Sequence, residues 1–149
     1  MTADCAPVII FDFKKKIISV IHAGWKGAFK GIIKKVITFF KKKGSNVKDL
    51  IVVIGPCISV KSYEVKQDFL KKFLNKNRNN IKYFRFSRKK IFFDLRKYIS
   101  YQIKSLGVNN LEIMNNDTYS EPNTYYSARR SLVKKENDYG RNISLIMIN

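Results

Sequence analysis

Two β-rich runs, Val8 to Asp12 and Lys16 to His22, stand back to back with only Phe13-Lys14-Lys15 between them. They read as a hairpin whose second strand ends at His22. Ala23-Gly24 breaks that strand, and a different period takes over. Trp25, Ala28, Phe29, Ile32, Ile33, Val36, Ile37 and Phe40 recur at three- and four-residue spacing, which predicts one amphipathic helix. Lys41 to Lys43 crowd its last turn, where cations complement the helix dipole, and Gly44 suits the position just past its end. Leu50 to Ile54 then reads as a short, fully apolar strand stopped by Gly55-Pro56. Strand pair, helix and further strand exclude an all-α bundle. The chain is expected to be mixed α/β with at least one antiparallel pair.

Farther along, Val65, Phe69, Leu70, Phe73 and Leu74 mark a second helix that dissolves into an expected loop at Asn75 to Asn80. Ile81 to Phe86 reads as a strand. Asp94 is a predicted N-cap for a third helix that Gly107 closes. Leu111 to Met114 and Ile143 to Ile148 read as strands on either side of a turn-rich stretch, Asn115 to Gly140. No internal repeat appears, and 149 residues suit one domain, 1–149. The apolar runs fall short of the ~18 residues of a membrane span. No leader opens the sequence, and two cysteines fit a reducing compartment. The expectation is a cytoplasmic domain with no membrane partner.

The formal net charge is +19, from 30 basic and 11 acidic residues. Such a balance raises nucleic acid as a partner. The kind of cation argues otherwise, because 23 of the 30 are Lys and only seven are Arg, the residue that reads phosphates and bases bidentately. The lysines sit where helices need a solvated face, so nucleic acid is not the expected partner.

The single histidine, His22, closes one strand, and Cys5 just precedes its neighbour. If the two strands pair, thiol and imidazole meet at one rim of the sheet. That pair suits zinc ligation or nucleophile–base catalysis; it also suits a small buried thiol beside a structural histidine. A second cluster is basic. Arg129, Arg130 and Arg141 are three of the seven arginines, placed where bidentate anion binding or surface ion pairing with Glu136 or Asp138 both fit.

Six ordered segments carry a resemblance. Ala3-Asp4-Cys5 with Pro7-Val8 is similar to an "ADC-x-P-V" segment, and His22 to Gly27 to "HAGWRG", with Lys26 in place of Arg. Gly55-Pro56-Cys57-Ile58 with Tyr63-Glu64-Val65 resembles "GP-x-I…YEV", and Phe93-Asp94-Leu95 resembles "LDL". Thr118-Tyr119-Ser120, Tyr126 to Arg130 and Gly140-Arg141 look like "TYS…FSYRR…GR". Together they resemble the YfiH/laccase-domain family, also called multicopper polyphenol oxidase-like proteins and purine nucleoside phosphorylases.

The resemblance implies a mixed-sheet α/β sandwich with flanking helices, here incomplete at the N-terminus and so with exposed edges. It implies zinc held by one Cys and two His. Cys5 and His22 match two of those ligands; the third lies upstream of "ADC" in the family, and the sequence holds no other histidine. The implied activity is phosphorolysis of adenosine, inosine or methylthioadenosine to free base and ribose 1-phosphate, with adenosine deamination as a related activity. Lys26, Arg129 and Arg130 are the candidate phosphate donors, Asp4 a candidate partner for His22, and Tyr126 a candidate base-stacking ring or core aromatic. Copper is not expected, since one histidine cannot furnish histidine-rich copper sites. Two alternatives stand beside this one: a metal-free cysteine hydrolase acting on cell-wall precursors, and a basic nucleic-acid-binding or non-catalytic module.

Overall fold

The computed structural model describes residues 1–148. The predicted hairpin forms from strand β1 (Ala6–Asp12) and β2 (Ile17–Ala23), paired antiparallel from Ala6↔Ala23 to Asp12↔Ile17. Asp12 closes it: its Oδ1 accepts the amides of Lys14 and Lys15 at 2.9 Å each. β3 (Leu50–Ile54) adds antiparallel to the other side of β1, and β7 (Asn110–Ile113) adds parallel to β3. The sheet order is therefore β2-β1-β3-β7, a mixed sheet. A second, antiparallel sheet runs β4 (Glu64–Val65), β6 (Lys90–Phe93), β5 (Phe84–Ser87).

Where one helix is predicted over Trp25 to Phe40, the chain forms two, α1 (Trp25–Phe29) and α2 (Ile32–Lys42). Gly31 makes the break, entering the left-handed region at φ 81°, which only glycine visits without steric cost. The apolar period survives because the buried Ala28, Ile33, Ile37 and Phe40 all join the one core cluster. α4 (Leu95–Ser105) starts on its expected N-cap: the Asp94 carboxylate accepts the Lys97 amide at 2.8 Å. Buried Val8, Ile10, Val52 and Ile54 of the sheet share the core with Ile99 and Ile103 of α4.

Three other expectations are corrected. Residues 78–83, read partly as loop and partly as strand, form a 3₁₀ turn, held by Asn80 Nδ2 donating to the Phe73 carbonyl of α3 (Gln67–Lys76) at 2.8 Å. The strand begins only at Phe84 and turns into β6 through Arg88 and Lys89, both left-handed at φ 47° and 63°. That hairpin lacks the Asn-Gly signal which normally announces it. Within the turn-rich stretch, α5 (Ala128–Lys134) forms on the Ser127 N-cap, although Leu132 and Val133 stay exposed and so leave no amphipathic pattern. Ile143 to Ile148 makes no strand among the described residues. The antiparallel bridge Thr2↔Asn142 is its last pairing, and Ile143, Leu145 and Met147 lie exposed beyond it. No helix is long and apolar enough to cross a membrane among the described residues.

Candidate functional site

The β1–β2 register places Pro7 opposite His22 and Ala6 opposite Ala23. One step further, Cys5 faces Gly24. A Cβ on Gly24 would stand 2.6 Å from Cys5 Sγ and 3.9 Å from His22 Nε2. The missing side chain is thus the space that thiol and imidazole share, and the two meet at one rim as their sequence positions predict. Cys5 is half-buried and His22 exposed. Burial pushes the Cys5 thiol up to about 11, with Asp4 and then Cys57 adding to the shift.

Asp4 does not orient His22. Left-handed at φ 77°, it accepts the Thr118 hydroxyl on Oδ1 at 2.7 Å and the Arg129 amide on Oδ2 at 2.6 Å. It is a strut that ties the Cys5 segment to the start of α5. Arg130 is a clamp: its guanidinium donates to the carbonyls of Thr118 (2.7 Å) and Tyr119 (2.9 Å), and to that of Tyr125. Arg141 folds back over the Tyr139 ring, 3.8 Å from its centroid.

Arg129 has a different position. One Nη donates to the Glu64 carbonyl at 2.9 Å, the guanidinium lies 5.6 Å from the Tyr63 ring centroid, and the residue lines two adjoining cavities. The inner cavity, about 240 Å³, is walled by Asp4, Cys5, Trp25, Tyr63, Leu95 and Arg129. The outer, about 660 Å³, is walled chiefly by Trp25, Tyr63, Val65, Phe69, Lys72 and Leu132. Trp25, Tyr63, Arg129 and Leu132 belong to both, so the two form one cleft with Cys5 at its inner end. Lys26 lines neither cavity; its ammonium lies 5.7 Å from the Trp25 ring centroid. Tyr126 is also outside, exposed and packed under Gly140.

Sequence reasoning did not single out Tyr63, Phe69 or Leu132 as site residues. Tyr63 alone had a signal, its place in the Tyr-Glu-Val segment. It also missed Arg96, which donates to the Cys57 and Asn116 carbonyls at 3.0 and 2.7 Å and so joins the turns after β3 and β7.

The fit of a zinc ion can be judged from the donors. Cys5 and His22 are the right kind. Among the described residues no group of three His, Cys, Asp or Glu side chains converges, and both oxygens of Asp4 are already engaged. Even a catalytic zinc takes three protein ligands, so these residues suit the ion in kind but fall short in number.

Residues 1–149 match the family model described as multi-copper polyphenol oxidoreductase laccase. The chain belongs to this family. Over 144 residues it is 41% identical to a purine nucleoside phosphorylase of Rickettsia conorii, covering 95% of this chain and 59% of that one. A purine nucleoside phosphorylase of Borreliella burgdorferi is 40% identical over 127 residues, covering 83% and 54%. The Bacillus licheniformis hypothetical protein YfiH superposes with a TM-score of 0.80 at 28% identity, over 88% of this chain and 51% of that one. A Neisseria meningitidis protein of the same family gives 0.78 at 29%, over 87% and 53%. The chain therefore spans little more than half the length of the curated relatives it matches, and these laccase-family neighbours support the mixed α/β architecture directly.

Proposed function

We infer that this laccase-family chain binds a purine nucleoside and phosphate and contributes to phosphorolysis. The observation that carries the reading is the two-part cleft, with an aromatic outer chamber and an inner chamber lined by both Arg129 and Cys5. It is supported by relatives named purine nucleoside phosphorylase. Phosphorolysis breaks the bond between the purine nitrogen and ribose C1′ and forms a bond from C1′ to a phosphate oxygen; the purine leaves with a proton. Trp25 and Phe69, with ring centroids 4.8 Å apart, offer the apolar wall a base needs. Arg129 supplies fixed positive charge where phosphate and the departing base carry negative charge.

Cys5 and His22 are the two residues here that would hold a zinc ion, and the chemistry it would supply is activation of water for deamination. The cysteine-hydrolase reading is the weaker one, because a thiol raised to about 11 is rarely a thiolate near neutrality. The direct test is chromatography of adenosine, inosine and methylthioadenosine incubated with the chain and phosphate. Free base that appears only with phosphate, and is lost in Arg129→Gln, supports the reading. Base released equally without phosphate overturns it.

A further inference from the structure

The cleft holds a polar group with no protein partner among the described residues, the hydroxyl of Tyr63. Tyr63 lines both chambers. Its ring is fixed edge-on against Phe69 and Phe93, with centroids 6.2 and 5.9 Å away. The charged and titratable groups around its hydroxyl are Cys5, Arg129 and Asp4, and the hydroxyl makes no hydrogen bond to protein among the described residues. A phenol with its body locked in an aromatic cluster and its polar tip unpartnered in a cavity is placed to meet a ligand. A phenolic O–H is protonated near neutral pH, so it can donate to such a ligand.

Arg129 complements it. Only one of its guanidinium nitrogens is bonded to protein among the described residues, the Nη that meets the Glu64 carbonyl, which leaves the rest of the fork free. Asp4, the acid on this wall, already receives two hydrogen bonds. Glu64 borders the outer chamber and holds its carboxylate at Lys90, 2.9 Å away. Arg130, expected as a phosphate donor, spends its guanidinium on carbonyls, so the inner chamber needs a second donor from elsewhere.

We propose that Tyr63 and Arg129 together form the oxyanion seat of the inner chamber, with the Tyr63 hydroxyl donating to an oxygen of inorganic phosphate. The proposal rests on the phosphorolysis reading for its meaning, but its test does not depend on turnover. Trp25 is the only tryptophan and walls both chambers, so its fluorescence reports on the cleft. Titration of the full chain with inorganic phosphate should give a saturable change. Tyr63→Phe, which keeps the ring packing, should weaken that binding about tenfold, the usual effect of losing a hydrogen bond to a charged group. Arg129→Gln should weaken it further. Lys41→Gln, in the last turn of α2, should leave it unchanged.

A thermal melt checks whether Tyr63→Phe folds. Should it not fold, the assigned ring resonances of Tyr63 in the unsubstituted chain read the same contact and should move as phosphate is added. Unchanged phosphate affinity in a folded Tyr63→Phe, or resonances that stay put, overturns the proposal, as does an absence of any phosphate response. If inosine is never cleaved yet the titrations behave as stated, the phosphorolysis reading fails and the seat stands. If inosine is cleaved and Tyr63→Phe keeps the wild-type KM for phosphate, the seat alone falls.

Discussion

Cys5 and His22 flank the space left open at Gly24, and only part of what surrounds the thiol is legible in the sequence. Its sequence position beside the hairpin predicts the meeting with His22, because antiparallel pairing around a short turn must bring the two strand ends together. What the sequence does not reveal is that Asp4 and Arg130 are spent on the scaffold, since a carboxylate strut and a carbonyl clamp look the same in sequence as a catalytic acid and a phosphate donor. For Cys5 itself a pH dependence follows. Burial, Asp4 and Cys57 all disfavour the thiolate and raise the pKa to about 11. Alkylation by iodoacetamide in metal-free buffer should therefore be slow at neutrality and should keep accelerating tenfold per pH unit beyond the ordinary thiol range near ~8.5. Mass spectrometry of Cys5 against pH reads this directly; a plateau reached below pH ~9 would contradict the burial argument. Zinc that slows the same reaction would show the thiol to be a ligand.

At the scale of elements, regular patterns were readable and turn chemistry was not. The α4 cap at Asp94 and the hairpin of β1 and β2 follow from local sequence, whereas the break at Gly31 follows from a backbone conformation that periodicity cannot register. The turn after β3 shows how much rests on such segments. Asp117, paired with Cys57 by a parallel bridge, accepts the hydroxyls of Ser59 and Ser62 at 2.6 Å each, and the amides of Ser59 and Tyr119 at 3.1 Å each. Burial raises its pKa, but these donors outweigh burial and the net shift is downward. A carboxyl whose folded pKa is lowered contributes stability that is present above its unfolded value near ~3.9 and is lost as pH falls through the folded value. Asp117→Ala should cost about 3 kcal/mol at neutral pH, the order expected for stranding several buried donors. Urea melts of both proteins should show the gap narrowing as pH is lowered below 4; an equal gap at all pH values would mean the charge contributes nothing.

The whole molecule poses a problem that its sequence already hints at. β1 and β3 read as continuous apolar runs, the pattern of strands buried on both faces. Among the described residues the two faces are covered unequally, the outer one holding buried Pro7 and half-buried Ile9, Phe11 and Val53. Val8, Ile10, Val52 and Ile54 are buried, while on the other face Val20 and Ile51 are 45% and 41% exposed, and exposed His22 lies on the same side as Val20. Ile143, Leu145 and Met147 add a further exposed apolar strip. Such surface drives association. The net charge of +19 opposes it, and that repulsion is screened with a Debye length of about 10 Å at 0.1 M salt. The two effects predict the direction of a single experiment. Light scattering should report 17.4 kDa at low ionic strength and rising mass as salt is added. The double substitution Val20→Lys and Ile51→Lys should hold the mass at the monomer value across the same range with little change in melting temperature, because neither side chain contributes to the core. A wild-type chain that stays monomeric at every salt concentration would show that this face is stable in water as it is, and that the apolar character of β1 and β3 serves the inner packing alone.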